Sequence, residues 1–209
     1  MSTAAPTAVG LMTAEEFFAW ANRPENADRR YELEDGRIVD LDAERTVDMP
    51  SPGDLHGTIC AIVVYLLQMY CYGRGAGRVA SNDTGVLVRR RPDTIQGADV
   101  LFYDATRPVG DIAVGYSTDI PALVVEVFSP SDRPGRLNRR IGRYHAHGIP
   151  LVWVVYPEDF QVDAHRPNQA VQTFDLGDTL DNFAELPGFT TPVAALFTLP
   201  GQQPPTAAP

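Results

Sequence analysis

Apolar and polar positions recur along the chain with both the strand period and the helix period, so the sequence predicts a mixture of the two structures. Short apolar runs rich in β-branched residues predict buried strands at residues 122–128 and 151–155. Between these runs arginines recur at the spacing of one helix face, at Arg136, Arg139, Arg140 and Arg143. A strand, a helix and a second strand in this order predict a β-α-β crossover.

Elements on either side of this crossover complete an α/β pattern. Further helices are predicted at residues 14–22 and 57–72, and strands at residues 31–34, 37–41, 85–89, 99–103, 161–165, 171–174 and 179–182. Thr13 and Glu16 form a capping box for the first helix, and Asp35-Gly36 is a strong hairpin turn signal. We therefore predict a mixed sheet flanked by helices, with an N-terminal hairpin and C-terminal antiparallel strands.

Length and composition indicate one domain. A chain of 209 residues with 44% hydrophobic content is long enough for one substantial core and short for two. The terminal stretches are rich in small residues, Pro and Gln, which predicts flexible tails at residues 1–10 and 199–209. The single domain is expected to span residues 11–198.

The charge of the chain restricts how it can meet nucleic acid. A formal net charge of −10 excludes a protein that coats DNA by bulk electrostatic attraction, so any DNA contact must be local. All 17 basic residues are Arg, and the sequence contains no Lys. This composition bears on mechanism, because Arg stays protonated where Lys can release a proton.

The two cysteines suit a reducing compartment. Cys60 and Cys71 fall on one predicted helix, where a rise of about 1.5 Å per residue separates them by about 16 Å, too far for a disulfide. Free thiols favour a cytoplasmic protein. We also expect no membrane span, since the sequence shows no secretory signal and no apolar run near the ~18 residues that a span requires.

Glu126 interrupts the apolar run at residues 122–128, where a bare carboxylate would be costly. It must therefore be hydrogen-bonded, paired with a cation or bound to a metal. Asp99 opens what is expected to be the neighbouring strand, so the two carboxylates can meet and hold Mg²⁺ or Mn²⁺. In the alternative interpretation, Asp99 caps a strand start and Glu126 pairs with an Arg.

Several short motifs also occur in a characteristic order. They are Met12-Thr-Ala-Glu-Glu-Phe17, Tyr31-Glu-Leu-Glu-Asp-Gly36, Ser51-Pro-Gly-Asp-Leu-His56, Ala98-Asp-Val100, Val125-Glu-Val-Phe-Ser-Pro-Ser131, Gly148-Ile149, Trp153-Val-Val155, Leu186-Pro-Gly-Phe189 and Leu196-Phe197. In this order they resemble the Uma-two family of putative restriction endonucleases, a branch of the PD-(D/E)xK nuclease superfamily. The resemblance covers residues 12–197.

The resemblance implies a restriction-endonuclease-like core that hydrolyses DNA with Mg²⁺ or Mn²⁺. Asp99 and Glu126 would be the metal-binding acids, with the carbonyl of Val127 as a third ligand, and Glu32 matches a family Glu that can reach the site, although an exposed hairpin acid is the alternative. The family's catalytic Lys position holds Arg140 here. The superfamily's more usual Lys position, two residues after the Glu, holds Phe128, so neither carries Lys.

The missing Lys leaves two functions open. Arg140 can stabilise charge on a phosphate in the transition state, which favours a metal-dependent endonuclease. The alternative is a degenerate nuclease fold that binds DNA or associates with itself as a scaffold. A second departure is Tyr156, where the family commonly has Asp.

Other basic side chains are candidates for binding substrate. His56 matches a family His that can contact phosphate or simply begin the helix, and forked Arg side chains can grip phosphate oxygens in pairs. The candidates are His56, Arg136, Arg139 and Arg143. The alternative for the arginines is a solvated face paired with nearby acids. The aromatic residues Phe17, Phe18 and Trp20, together with the apolar C-terminal strands, further predict a homodimer, because one core of this size would leave them partly uncovered.

Overall fold

A single mixed sheet with helices on both faces organises the chain in the computed structural model, which describes residues 10–26, 28–41, 53–129 and 134–205. The helices are α1 (Ala14–Ala21), α2 (Asp54–Arg74) and α3 (Pro134–His147). The strands are β1 (Tyr31–Glu34), β2 (Arg37–Asp40), β3 (Arg78–Arg89), β4 (Thr94–Tyr103), β5 (Leu123–Val127), β6 (Val152–Tyr156), β7 (Gln161–His165), β8 (Gln172–Phe174), β9 (Thr179–Leu180) and β10 (Thr191–Pro192).

Strand β4 is the centre of the sheet. Within the described ranges the strand order is β2-β1-β4-β5-β6-β7-β8, with β3 paired to β4 as well. The pair β5–β6 is parallel and the other pairs are antiparallel. Strand β3 pairs with one whole edge of β4. Strands β1 and β5 therefore share the other edge: β1 pairs at Ile95 and β5 pairs at Val100–Phe102.

The two long helices cover opposite faces of this sheet. Helix α2 buries Ile59, Val63, Leu67 and Cys71 against one face, together with the C-terminal segment that carries β9 and β10. Helix α3 buries Leu137, Ile141 and Tyr144 against the other face. The result is a three-layer sandwich, which confirms the predicted α/β fold with its mixed sheet.

Helix α1 is held at the end of the sheet by a buried acid. The capping box of Thr13 and Glu16 is present. The Ala14 amide at the start of the helix donates to Asp93 Oδ2 at 2.8 Å. The hairpin turn joins the same point, because the Gly36 amide donates to the Asp93 carbonyl at 2.7 Å. Helix α1 and the β1–β2 hairpin are therefore fixed to the start of β4.

The aromatic side chains of α1 pack largely against other residues of the same chain. Phe17 is buried, and its ring stacks on Tyr116 with centroids 5.8 Å apart. Phe18 meets Tyr116 edge-on, and Trp20 meets Tyr31 edge-on. The surface on which the homodimer was predicted is thus mostly covered by the chain's own residues.

Most predicted elements agree with the structure to within a few residues, but three predictions differ. Strand β3 begins at Arg78, whereas the predicted strand began at residue 85. Strand β4 begins at Thr94, so Asp99 lies within the strand rather than at its start. The extra residues pair with β3 and β1. Helix α2 is also long and apolar enough to cross a membrane, judged by length and composition alone, whereas no such segment was expected. One face of this helix packs on the sheet.

Some predictions fall outside the described residues. These are the tail at residues 1–9, the last part of the other tail at residues 206–209, and the motif segments at residues 51–52 and 130–131. The division into one domain at residues 11–198 stays a prediction.

Candidate functional site

The candidate site lies where β1 and β5 meet end to end along β4. The last backbone pair between β4 and β5 is Val100 with Val125, and Asp99 and Glu126 are the next residues on the two strands. Backbone pairing of β4 with β5 ends before these two residues. The Asp99 side chain replaces the backbone as acceptor, because its Oδ2 accepts a hydrogen bond from the Val127 amide at 2.7 Å. Asp99 therefore fixes the end of β5. The contact observed at Val127 is through its amide rather than its carbonyl.

Glu126 is buried beside the cation of helix α3. Its Oε1 accepts hydrogen bonds from Arg140 Nη2 at 3.0 Å and from the Tyr144 hydroxyl at 2.6 Å. Arg140 and Tyr144 lie four residues apart on α3, so one helix face supplies both donors. Burial raises the pKa of Glu126 to about 7, with the charge of Asp99 adding to the effect and Arg140 opposing it.

Arg140 joins Glu126 to the hairpin. Its Nη1 donates to Glu32 Oε1 at 2.5 Å, and its Nη2 also donates to the Gly97 carbonyl. Glu32 is buried, with 3% of its surface exposed, and accepts the Gly97 amide at 3.1 Å. The interpretation of Glu32 as an exposed hairpin acid is therefore wrong, and its role at the site stays a prediction.

Gly97 can meet these partners because it has no side chain. A Cβ at this position would lie 3.0 Å from the Asp83 carbonyl oxygen on the adjacent strand. The Gly97 carbonyl accepts from Arg140 while its amide donates to Glu32, so both of its backbone groups serve the site. A larger residue would push β3 and β4 apart where the carboxylates gather.

On the α2 side, Asp99 meets a histidine and a cysteine. His56 Nε2 lies 3.4 Å from Asp99 Oδ2, and Cys60 Sγ lies 3.7 Å from His56 Nδ1. The hydrogen bond to Asp99 raises the pKa of His56 to about 10, so the imidazole is protonated at neutral pH. Burial raises the pKa of the Cys60 thiol. Asp99 thus faces one helix layer and Glu126 the other.

The remaining arginines of α3 face the hairpin acids. Arg136 Nη2 lies 3.7 Å from Glu32 Oε2, and Arg143 Nη1 donates to Glu34 at 2.6 Å. Arg139 is exposed. The helix face therefore carries the acid pairing expected in the alternative interpretation, and it leaves Arg139 turned to solvent. Phosphate binding by these arginines stays a prediction.

Phe128 and Tyr156, two positions that differ from the family pattern, pack against each other. Their ring centroids are 5.3 Å apart, just beyond the carboxyl ends of β5 and β6. The position where the superfamily more often places Lys is thus occupied by half of an aromatic pair. Arg140 is the cation that reaches Glu126 instead.

Sequence reasoning missed Tyr144, Cys60 and Gly97. Tyr144 and Cys60 each lie four residues after a residue that was singled out, Arg140 and His56 respectively. The i, i+4 spacing on a helix was the available signal for both. Gly97 carried no comparable signal, because its role depends on how closely three strands and a helix approach it.

The arrangement offers oxygen ligands and one buried guanidinium. Asp99 and Glu126 are hard donors suited to Mg²⁺ or Mn²⁺. Of the alternative interpretation, the pairing of Glu126 with Arg140 is present. Asp99 does not cap a strand start, because it lies within β4 and accepts from Val127 at the end of β5. A carboxylate with a pKa near neutrality, next to a fixed positive charge, is a suitable group for handling protons in hydrolysis.

Comparisons with known proteins place this arrangement in a class. A solved structure described as a putative nuclease belonging to DUF820 from Anabaena variabilis ATCC 29413 superposes with a TM-score of 0.70 at 17% identity. The match covers 89% of this chain and 97% of that chain. A comparison with curated proteins finds no match. The two chains therefore share one α/β fold.

The family is shown by the sequence itself. The model of the Uma2 family, described as putative restriction endonuclease, matches residues 14–194, which is most of the chain. The chain belongs to the Uma2 family, as the motif order indicated. Members of the restriction-endonuclease-like class generally use divalent metals.

Glu126 is expected to titrate near neutrality. With a metal chelator present, carbon NMR of labelled glutamate carboxyls should show one resonance with a midpoint near pH 7, absent from Glu126→Gln. Because folding raises this pKa from 4.5, the stabilisation it provides is complete below about pH 4.5 and is lost as the pH rises through about 7.

Glu34 provides the matched control for this titration. The hydrogen bond from Arg143 lowers the pKa of Glu34 below its usual range, so Glu34→Gln should remove a different resonance with an acidic midpoint. A Glu126 midpoint below pH 5 would contradict the burial argument.

Proposed function

We propose that the protein is a metal-dependent endonuclease that hydrolyses phosphodiester bonds in DNA. The observation that carries the proposal is the opposition of Asp99 and Glu126 on adjacent strands, at the point where backbone pairing gives way to side-chain contacts. Membership of the Uma2 family supports the same reaction. The proposed cofactor is Mg²⁺ or Mn²⁺, and the proposed substrate is DNA.

The residues at this point fit a hard divalent cation. Asp99 and Glu126 supply oxygen ligands, and the carbonyl of Val127 is the proposed third ligand. Glu32 Oε2 is buried without a hydrogen-bond partner among the described residues, although the Arg136 guanidinium lies 3.7 Å away. When bound, such a cation neutralises the phosphate and lowers the pKa of coordinated water.

Around that chemistry the chain's own groups have separate tasks. Glu126 would hold the cation through its carboxylate, which must be ionised to act as a ligand. Arg140 supplies a permanent positive charge next to the reacting phosphate. Tyr144 holds the Glu126 carboxylate through its hydroxyl and so fixes the direction in which the second oxygen points.

DNA would meet the outer surface of α3. Arg136 and Arg143 keep about a third of their side chains exposed while they pair with Glu32 and Glu34, and Arg139 is exposed. With a net charge of −10 the chain needs such a local basic surface to hold a phosphate backbone. His56 is less suited to this role, because it is half-buried and pairs with Asp99.

One observation favours the second candidate, a degenerate nuclease fold that binds DNA or itself. The Arg140 guanidinium lies between Glu126 and Glu32 and donates to both, so a cationic side chain already compensates the buried carboxylates. A metal must compete with that charge. In this alternative the site stabilises the fold and cleaves nothing.

Cleavage of supercoiled plasmid DNA separates the two functions. The wild type with Mn²⁺ or Mg²⁺ should convert plasmid to nicked and linear forms, and Asp99→Ala should lower the rate at least about a hundredfold, because one of the two metal-binding acids is lost. Product forms are measured on gels over time.

Asp104→Ala is the matched control for this variant. Asp104 follows the same strand, is about half exposed and pairs with Arg74 at the surface, so its loss should leave the rate within about twofold. Thermal unfolding of each variant checks that the fold survives. Equal cleavage by wild type and Asp99→Ala would remove the proposed site.

Replacing Arg140 with Lys should raise cleavage about tenfold. The guanidinium donates to Glu32, Glu126 and Gly97 together, whereas the compact ammonium of Lys cannot span all three and would leave Glu126 freer to bind a cation. Positioned groups that handle protons contribute ~100-fold or more in enzymes, so a tenfold gain is a modest expectation. Single-turnover rates in Mg²⁺ provide the measurement.

The opposite result has a defined meaning. A lower rate in Arg140→Lys would show that the guanidinium already acts as a phosphate clamp. Arg74→Lys, at the surface and paired with Asp104, is the control and should change little. If wild type, Arg140→Lys and Arg140→Ala all leave supercoiled and single-stranded DNA intact, the endonuclease proposal fails and the scaffold function stands.

We retain the homodimer as a proposal, now on a different surface. Helix α2 exposes Tyr65, Met69 and Tyr72 on one face, at helical spacing. Cutting both strands of a duplex also suits two copies of one site. Light scattering at tens of micromolar should give twice the chain mass, and Tyr65→Glu with Met69→Glu should halve it. A monomer mass for the wild type would exclude the dimer.

Localisation in the cytoplasm also stays a proposal. It is supported by the two cysteines, which are both free thiols in the structure.

A further inference from the structure

We propose that His56, Cys60 and Asp99 form a binding site for a transition-metal ion of the zinc class, separate in ligand chemistry from the magnesium site. One nitrogen of His56, the sulfur of Cys60 and one oxygen of Asp99 all lie within 4.8 Å of one another. Among the described residues, no other group of three metal-ligating side chains lies this close together. Glu126 is not part of it.

The separations suit a tetrahedral ion. Zinc bonds of about 2.0 Å to nitrogen or oxygen and about 2.3 Å to sulfur place neighbouring ligands about 3.3 to 3.7 Å apart. His56 Nε2 lies 3.4 Å from Asp99 Oδ2, and Cys60 Sγ lies 3.7 Å from His56 Nδ1. These two distances use different ring nitrogens, of which only one can bind the ion. The three ligand atoms lie within 4.8 Å of one another, so they must close by up to about 1.5 Å around a bound ion.

The elements that carry these ligands are already fixed. His56 and Cys60 lie one turn apart on α2, at the i, i+4 spacing that brings two side chains to one helix face. Helix α2 packs on the sheet through Ile59 and Val63, which are close to His56 and Cys60 in sequence. Asp99 is held by the Val127 amide. Three ligands therefore converge from two anchored elements and leave a fourth position open.

The ligand types select the metal. Thiolate and imidazole prefer Zn²⁺ and its neighbours to Mg²⁺, which takes oxygen ligands almost exclusively. A site that combines sulfur, nitrogen and one carboxylate oxygen therefore binds Zn²⁺, Co²⁺ or Cd²⁺ in preference to the nuclease cofactor. Cys60 is the residue that distinguishes this site from the pair formed by Asp99 and Glu126.

Sharing Asp99 connects the two sites. An ion held by His56 and Cys60 would bind the Asp99 carboxylate from the α2 side. Asp99 would then not be available to bind Mg²⁺ together with Glu126. Zinc would then inhibit cleavage by competition for one acid. This consequence rests on the proposed nuclease function, whereas the binding site itself does not.

Cobalt absorption tests the binding site directly. Co²⁺ is added to the full-length reduced protein, and the thiolate-to-cobalt charge-transfer band and visible ligand-field bands are recorded. Wild type should develop a charge-transfer band that saturates at one equivalent and disappears when Zn²⁺ is added. Cys60→Ser should lose that band, and His56→Gln should weaken the apparent affinity at least tenfold.

Cys71→Ser is the matched control. Cys71 is the other free thiol, on the same helix, but it is buried in the core and is not part of the cluster. Its variant should keep the full band, with thermal unfolding used to confirm that each variant is folded. Absence of the band in the wild type, its persistence in Cys60→Ser, or its loss in Cys71→Ser would each overturn the assignment.

Two further measurements keep this proposal distinct from the proposed function. Glu126→Ala should retain the cobalt band, because Glu126 is not a ligand of the cluster, and loss of the band there would overturn the ligand set. If the wild type cleaves DNA in Mg²⁺, the zinc concentration for half inhibition should rise about tenfold in Cys60→Ser, and an unchanged concentration would overturn the competition. If the wild type cleaves nothing, the nuclease proposal fails while the cobalt band still decides the site.

Discussion

The buried guanidinium of Arg140 is the constraint on which the rest of the site depends. A cation taken out of water is costly unless acceptors surround it, and here they come from three elements: Glu32 on β1, Gly97 on β4 and Glu126 on β5. Each acid in turn would be costly without Arg140. The hairpin, the central strand, the crossover strand and helix α3 are thereby held in one relative position.

The fold could be predicted from sequence because its signals are local. The apolar run around Glu126, the capping box at Thr13 and the Asp35-Gly36 turn each describe a few consecutive residues, and the structure has the corresponding elements at those places. Strand ends were harder. Thr94 to Ala98 join β4 because β3 and β1 pair with them, and those partners lie elsewhere in the chain.

The site was predicted in its residues but not in its contacts. Glu126, Glu32 and Arg140 come together on the α3 side of the sheet, whereas Asp99 contacts His56 on the α2 side. The sequence could not indicate that Arg140 bonds Glu32, a partner 108 positions away, or that Asp99 faces helix α2 while Glu126 faces α3. Those choices depend on which side of the sheet each helix covers, a property of the packed layers rather than of any short segment.

A site without Lys must move protons by other groups, and their pKa values identify the candidate. Arg140 stays charged because its pKa is raised well above the usual Arg value by the buried acids around it. His56 is held protonated by Asp99, and burial moves the pKa of Tyr144 far above neutrality. Burial raises the pKa of Glu126 to about 7, so in the metal-free protein this carboxylate can exchange a proton near neutral pH. A cation bound at Glu126 would keep the carboxylate ionised, which couples metal binding to proton release at the residue that the helix, the strand and the arginine jointly bury.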